Sequence, residues 1–450
     1  MNSLAIVSLL AIFVAIVLGF ARKTNVGIIS ISLALILGRI YGLSDSELMS
    51  GFSTNLFITM VGVTYLFGIL NENGTLHRVA DLIVHQARGR NWLLPIAMYL
   101  MGFVLTAVGP GSIPILAIIP VIAVPIAISA GLNPLMLAII GQCGCFGGRM
   151  TTITPEGVLV QDLLAQQQLG AGMVHLWASL FVASLVLAVV VFVFYKGWQT
   201  KPGASGEQSE RVVFHRNHII SLIGLLAMIL CALVFSVNVG LISFLVGCIL
   251  VLLGVAHEGA SIKKIPWNTL LLVVGVGILM KIVTNSGGID LLANAMTAMM
   301  TPRTASTVMT FIAGIMSFFS SGIGVVFPTL IPTVGGISAN FSGAVSPVEL
   351  AAAVVIGGTV PGLSPISTTG ALIMAAVESD KVGGTHYNMN KIFLSLWGWA
   401  FGALLLCSQA ALESARAGLS LCAQMIVPSL LPFFMLSSLL QLLGLPGILG

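Results

Sequence analysis

The sequence predicts an all-α polytopic membrane protein made of two inverted-topology repeats, each with three spans, a re-entrant helical hairpin, a broken helix and a closing span. Three observations predict it. First, 57% of the 450 residues are hydrophobic and only 7% are charged, with a mean hydropathy of +1.09, whereas a soluble domain carries about 25% charged residues. Second, an apolar helix is interrupted at two points that correspond between the halves. Third, positive charge gathers on one side of the topology that the spans define.

The first interruption is Gly141 to Gly157, GQCGCFGGRMTTITPEG. Gly144, Gly147 and Gly148 thin out the side chains, Pro155 removes a backbone donor, and threonines follow with Arg149 and Glu156. Freed N–H and C=O groups find no water in lipid, so such a break survives only where protein wraps it or where it lines a cavity. The second is Gly357 to Thr369, GGTVPGLSPISTT. Paired breaks at corresponding positions point to a midplane binding site between repeats.

In chain order, spans are expected at Leu4–Phe20, Val26–Tyr41 and Leu56–Leu70, followed by an amphipathic connector, Asn71–Arg90. Met1 to Ser8 carry no positive charge, so the first span is expected to stay in the protein rather than be cleaved as a signal. Only Gly109-Pro110-Gly111-Ser112 separates the apolar runs Trp92–Val108 and Ile113–Ala130, which predicts a hairpin returning to the side it entered from. The broken helix Leu135–Gln168 and the closing span Met173–Tyr195 complete residues 1–198. A polar linker over 199–217 leads to the second repeat, 218–408. Its spans are His218–Val237, Gly240–Val255 and Asn268–Thr284. Its hairpin is Ser306–Phe319 with Val325–Ala339, its broken helix Pro347–Val377, and its closing span Ile392–Cys407. The six cysteines lie mostly in apolar runs and read as small buried hydrophobes.

Arg22 and Lys23, the Arg78–Arg90 connector, Lys196–Arg216, Lys263 and Lys264, and Lys381 and Lys391 fall on one side and hold thirteen of the eighteen Lys and Arg residues. The positive-inside rule makes that side cytoplasmic. Each half then has an odd number of crossings, so the halves are inverted. A cysteine placed at Ser205 is expected to resist an impermeant thiol reagent added to intact cells. Ready labelling would reverse the orientation and swap the sides from which the hairpins enter.

The motifs GPGSIPILAIIP (109–120), GGRMTTITPEG (147–157), SSGIGVVFPTLIP (320–332) and GGTVPGLSPISTTG (357–370) resemble those of MatC-type malonate/dicarboxylate carriers. These belong to the ion-transporter superfamily that includes the divalent anion/sodium symporters. The resemblance extends to about residue 408. It implies an ion-coupled secondary carrier of small malonate- or malate-like dicarboxylates, working by alternating access, in a bacterial cell membrane and as a homodimer. In the superfamily's symporters each hairpin tip bears a Ser-Asn-Thr triplet for a carboxylate and sodium. The matching tips here, Gly111-Ser112 and Ser320-Ser321-Gly322, hold no asparagine.

The residue types suit that chemistry. Half-helix N-termini offer oriented N–H groups to an anion, and neutral hydroxyls donate without charging an empty site. The candidate substrate contacts are Gly111, Ser112, Arg149, Thr151, Thr152, Thr154, Ser320, Ser321, Gly322, Ser364, Ser367 and Thr368. The competing role for each hydroxyl is back-bonding to its own helix. Carbonyls near Gly147 and Gly357 and the carboxylate of Glu156 are the ion-coupling candidates, for Na+ or H+, with no other cofactor or metal expected. Arg149 costs at least about 2.5–3.5 kcal/mol within a span. It therefore either clamps a substrate carboxylate bidentately or pairs internally with Glu156.

Residues 409–450 do not fit the repeat plan. From Ala411 onward they resemble the opening segment of sporulation and nucleoside-recognition gate membrane proteins, and no transport role is assigned to them. Within the superfamily, the alternatives are a cation/proton antiporter or the large membrane subunit of a binding-protein-dependent carrier. A membrane-embedded enzyme is the alternative from another class. The sequence lacks H-E-x-x-H, a nucleotide-binding G-x-x-x-x-G-K-[ST] and paired intramembrane aspartates, and nothing in its +4 net charge points to nucleic acid.

Overall fold

The computed structural model describes residues 2–22, 24–76, 78–79, 82, 91–109, 111–169, 172–198, 214–235, 237–379 and 387–421. Most of the 199–217 linker, most of the Asn71–Arg90 connector and the tail beyond Leu421 lie outside them.

Every regular element among the described residues is helical. The first half holds α1 (Asn2–Arg22), α2 (Val26–Ile40), the short α3 (Asp45–Met49) and α4 (Thr54–Glu72). Its hairpin is α5 (Leu94–Ala107) with α6 (Ser112–Ser129), its broken helix α7 (Pro134–Gly148) with α8 (Pro155–Ala165), and its closing helix α9 (Met173–Phe194). The same order recurs in α10 (Arg216–Phe235), α11 (Val239–Leu252), α12 (Glu258–Lys263), α13 (Trp267–Asn285), α14 (Gly288–Ala298) and α15 (Ala305–Phe319). Next come α16 (Gly322–Asn340), the broken pair α17 (Pro347–Gly357) and α18 (Thr368–Ser379), and α19 (Met389–Leu421).

Local chemistry sets these boundaries. Asn25, Ser53, Asn133, Thr154 and Asn238 each accept a backbone N–H at the start of α2, α4, α7, α8 and α11, as N-caps do. Pro134 and Pro155 begin α7 and α8, where a missing N–H costs nothing. In the exposed turn before α4, Ser44 and Glu47 form a capping box, and the Ser44 hydrogen bonds hold the Glu47 carboxyl below its ordinary range.

Among the described residues six helical stretches are long and apolar enough to cross a bilayer: Thr54–Glu72, Met173–Phe194, Trp267–Asn285, Gly322–Asn340, Pro347–Glu378 and Met389–Ser408. Shorter apolar helices accompany them, and aliphatic side chains such as Val17, Val189, Leu241 and Leu252 stand exposed along helix flanks. Outward-facing Leu, Ile and Val in such number suit a lipid boundary, not water. The chain is an integral, multi-pass membrane protein.

Three details differ from the sequence expectation. The glycine run does not itself break the first helix. α7 continues through Gly148, and its glycines instead let the backbone of α5 approach, a Cβ on Gly144 falling 2.0 Å from the Tyr99 carbonyl oxygen. In the second hairpin the returning limb opens with a π-turn over Gly322–Val326. The closing helix α19 runs unbroken to Leu421, past the boundary expected at residue 408, because Met389–Leu421 contains no proline.

The halves are joined by reciprocal pairs. α2 packs on α13, and α11 packs on α4. Asn25 donates its Nδ2 to the Asn268 carbonyl at 2.7 Å, and Asn238 donates to Asn55 Oδ1 at 2.6 Å. A Cβ on Gly27 would lie 2.0 Å from the Leu271 carbonyl oxygen, and one on Gly62 would lie 2.2 Å from that of Gly240. Ser8 pairs with Ser286 at 2.6 Å, and Ser221 with Asn73 at 2.7 Å. Residues 8 and 221, 25 and 238, 55 and 268, 62 and 275, and 73 and 286 are each 213 apart. One set of helix contacts is therefore made twice with the partners exchanged. α2 and α13 start together at Asn25 and Asn268, while Gly51, beyond the end of α2, meets Ile278 and Lys281 far along α13. α4 begins at that far end, and α11 begins beside α4 at Asn55.

Candidate functional site

The two breaks meet inside the molecule. α18 packs against both α6 and α7, and the turn Val360–Leu363 also touches α7. Arg149, the residue that ends α7, is 7% exposed. Its Nη1 donates to Thr359 Oγ1 at 3.3 Å, and its Cζ lies 5.9 Å from the centroid of the Phe327 ring, a cation–π distance. Arg149 follows Gly147-Gly148 as Thr359 follows Gly357-Gly358. The residues after the paired glycines thus meet each other across the halves. Thr359 and Phe327 were not singled out from the sequence; the repeated position after Gly-Gly is the signal that finds Thr359.

Glu156, in the first turn of α8, is fully buried. Its Oε1 accepts both the Ser112 N–H at 2.8 Å and the Ser112 Oγ–H at 2.6 Å. The first hairpin tip is thereby fastened to the broken helix. Gly111 has φ +72°, and a Cβ there would lie 2.0 Å from Glu156 Oε2. This position therefore requires glycine on two counts, backbone conformation and room for the carboxylate. Arg149 Nε stands 3.6 Å from Glu156 Oε1, close enough for charge attraction but too far for a hydrogen bond. Neither Arg149 Nε nor Glu156 Oε2 has a hydrogen-bond partner, and both are buried. The internal pair is real but unsaturated, because Ser112 rather than Arg149 holds the carboxylate.

The remaining expected residues divide. Thr154 caps Gly157 and its hydroxyl lies 2.7 Å from the Arg149 carbonyl oxygen and 2.8 Å from that of Thr151, while Thr151 donates to the Ala107 carbonyl. Ser320 bonds back to Met316, Ser364 reaches the Phe318 carbonyl, and Ser367 turns to the carbonyls of Gly362 and Ser364. These hydroxyl protons hold the breaks in shape. Thr152 is exposed, and Gly322 is buried with room for no Cβ because the Gly358 carbonyl oxygen would lie 2.5 Å away. Gly147 remains inside α7 facing Ser184 and Tyr99. The carbonyl of Gly357 already accepts the Ser317 hydroxyl at 3.3 Å.

Ser320, Ser321 and Thr368 line a cavity of about 650 Å³ with Asn25, Asn268 and Thr24. Arg149 is not among its walls. The expected residues therefore form two groups, one centred on Arg149 and Glu156 and one at the second tip. Asn25 and Asn268 come from helix starts outside the breaks, and no local motif in the breaks reveals them.

Helices long enough to cross a bilayer, broken in pairs and meeting over a buried guanidinium, are arranged as a membrane transporter's are. The sequence profile of the dicarboxylate carrier protein MatC N-terminus matches residues 1–149 and 215–362, more than half of the chain and one stretch in each half. The chain belongs to that dicarboxylate carrier family. Among solved structures, the YdaH transporter of Alcanivorax borkumensis, described as having an unusual topology, is similar at TM-score 0.58 and 13% identity, covering 82% of this chain and 87% of that one. At that identity the likeness is one of fold. No curated protein matches the chain.

Proposed function

We propose that the protein is a secondary active transporter of small, malonate- or malate-like dicarboxylates, ion-coupled and working by alternating access, in the cell membrane of a bacterium. The observation that carries this reading is Arg149, a buried cation placed where the two broken helices meet, with its Nε unpartnered. A guanidinium in that setting is a carboxylate ligand waiting for a second oxygen. Family membership supplies the substrate class, and no enzymatic role is assigned.

The scaffold supports alternating access. α2 and its counterpart α11 start at opposite ends of α13 and α4, which is the arrangement of an inverted repeat. The hairpin tips break that symmetry. Gly109, at the first tip, lies against Phe67 and Met228, deep in α4 and α10. At the second tip Gly324 meets Leu272 and the cavity reaches Asn268, at the start of α13, although the counterpart of Phe67 is Met280. The breaks and hairpins are thus displaced along the scaffold toward the end bearing Arg22 and Lys264. A displacement of that kind supports the reading, because alternating access requires two such positions. The family resemblance adds a homodimer as the assembled form.

Purified protein in proteoliposomes, offered a panel of labelled acids under an imposed sodium or proton gradient, should accumulate a dicarboxylate unchanged. Arg149→Lys keeps the charge but loses the planar fork. Its apparent affinity for the dicarboxylate should fall by roughly 1.5–3 kcal/mol, the worth of one charge-assisted hydrogen bond. Uptake kinetics unaltered by that change, or conversion of the acid to another compound, would refute the assignment.

A further inference from the structure

We infer that Glu156 is the proton-coupling group of this carrier: a substrate carboxylate takes Arg149 from it, and Glu156 then binds one proton at Oε2. This rests on the reading of Arg149 as a carboxylate ligand and deepens it by naming the ion.

Glu156 and Arg149 are the only buried acid and the only buried guanidinium among the described residues. The carboxylate has a single cation, held by charge alone at 3.6 Å. An entering carboxylate that forks onto Arg149 removes that cation from Glu156 and adds a second negative charge beside it. A fully buried carboxylate without its counter-ion is strongly unfavourable, and two carboxylates sharing one site favour protonation of one. The ionisable groups that act on this pair are few. On α7 they are Arg149 itself and the Cys145 thiol. From the hairpin Ser112 faces the carboxylate, and across the halves Thr359 and Phe327 face the guanidinium, none of which exchanges a proton near neutrality. Among the described residues no other cation is placed to replace Arg149.

The two oxygens of Glu156 divide the work. Oε1 holds the two Ser112 donors, so the tip stays docked in either protonation state. Oε2 has no partner and is the free atom for the proton. The proton comes from the aqueous side on which substrate enters and returns to water when substrate leaves and Arg149 swings back. One proton moves per carboxylate captured. The corresponding position after the second break, 213 residues on, is Thr369, which is buried and carries no group that ionises near neutrality. The device is therefore present in one half only.

The test counts protons. Malonate binding to the purified wild-type protein is measured by calorimetry in buffers of different ionisation enthalpy, at a pH where the free acid is fully ionised. About one proton should be taken up per malonate bound, and over the range where uptake is complete apparent affinity should fall about tenfold per pH unit. In Glu156→Gln, which keeps an acceptor for Ser112, binding should lose both the proton uptake and the pH slope. Accumulation driven by a proton gradient should be lost with them. Binding without proton uptake by the wild type, or uptake that persists in the glutamine variant, overturns the inference. So does a strict sodium requirement with no proton taken up. If the variant cannot be recovered folded, the wild-type proton count decides alone. If no carboxylic acid binds at all, the carrier reading itself fails, which is a different result from binding without a proton.

Discussion

Arg149→Met is expected to destabilise the folded protein by about 3–5 kcal/mol. The cost arises from what it leaves behind. Glu156 is fully buried, and its remaining partners are the two donors of Ser112. Removing the guanidinium strands a negative charge in a low-dielectric interior, which costs more than the pair itself contributes. Adding Glu156→Gln should recover most of the folding, since the Ser112 bonds survive and no charge is left. Dicarboxylate affinity should stay low in that double variant, because the fork that takes the carboxylate is gone. Thermal unfolding in detergent and substrate binding on the same preparations separate the two effects. Recovery of affinity with the double substitution would show that Arg149 serves only Glu156.

Gly62→Ala is expected to cost about 3 kcal/mol, at the upper end of overpacking effects. The added Cβ would lie 2.2 Å from the Gly240 carbonyl oxygen, a backbone atom that cannot turn aside as a side chain does. The crossing of α4 on α11 must open to admit it. Membrane helices gain their association from close van der Waals contact of small residues, so a lost approach is not offset by burial elsewhere. The exchanged contact predicts the same for Gly275→Ala, whose Cβ would lie 2.1 Å from the Gly27 carbonyl oxygen. Gly402→Ala is the control: it sits in α19 with no atom within 4 Å of the added carbon. It should be neutral or stabilising by up to about 1 kcal/mol, as replacing an unconstrained helical glycine is. Midpoints of thermal unfolding should therefore fall for the first two and hold for the third. Equal effects at all three would mean that the close crossings do not bind the halves together.

The sequence by itself determined the class of protein and the position of its irregular parts. Apolar runs of about twenty residues with few charges read as membrane spans. Pro155 with its capping Thr154, and the proline-rich turn Val360–Leu363, stop helices through local hydrogen bonding and sterics that need no partner. The hairpin limbs were legible for the same reason: Gly109 and Gly111 adopt positive φ in a junction too short for a loop. The glycine run of α7 was misread locally, since Gly144 and Gly148 serve the approach of α5 and the helix passes through them.

Only the tertiary structure decided what each polar group does. Whether a hydroxyl bonds its own turn or faces a cavity depends on a neighbour distant in sequence, as for Ser364 on the Phe318 carbonyl and Thr368 beside Asn25. The pairing of Glu156 with Ser112 spans 44 residues and that of Arg149 with Thr359 spans 210. Such contacts exist because helix packing brings the two breaks together. A buried charge must find a partner, and composition can demand that without saying which partner the packing will supply.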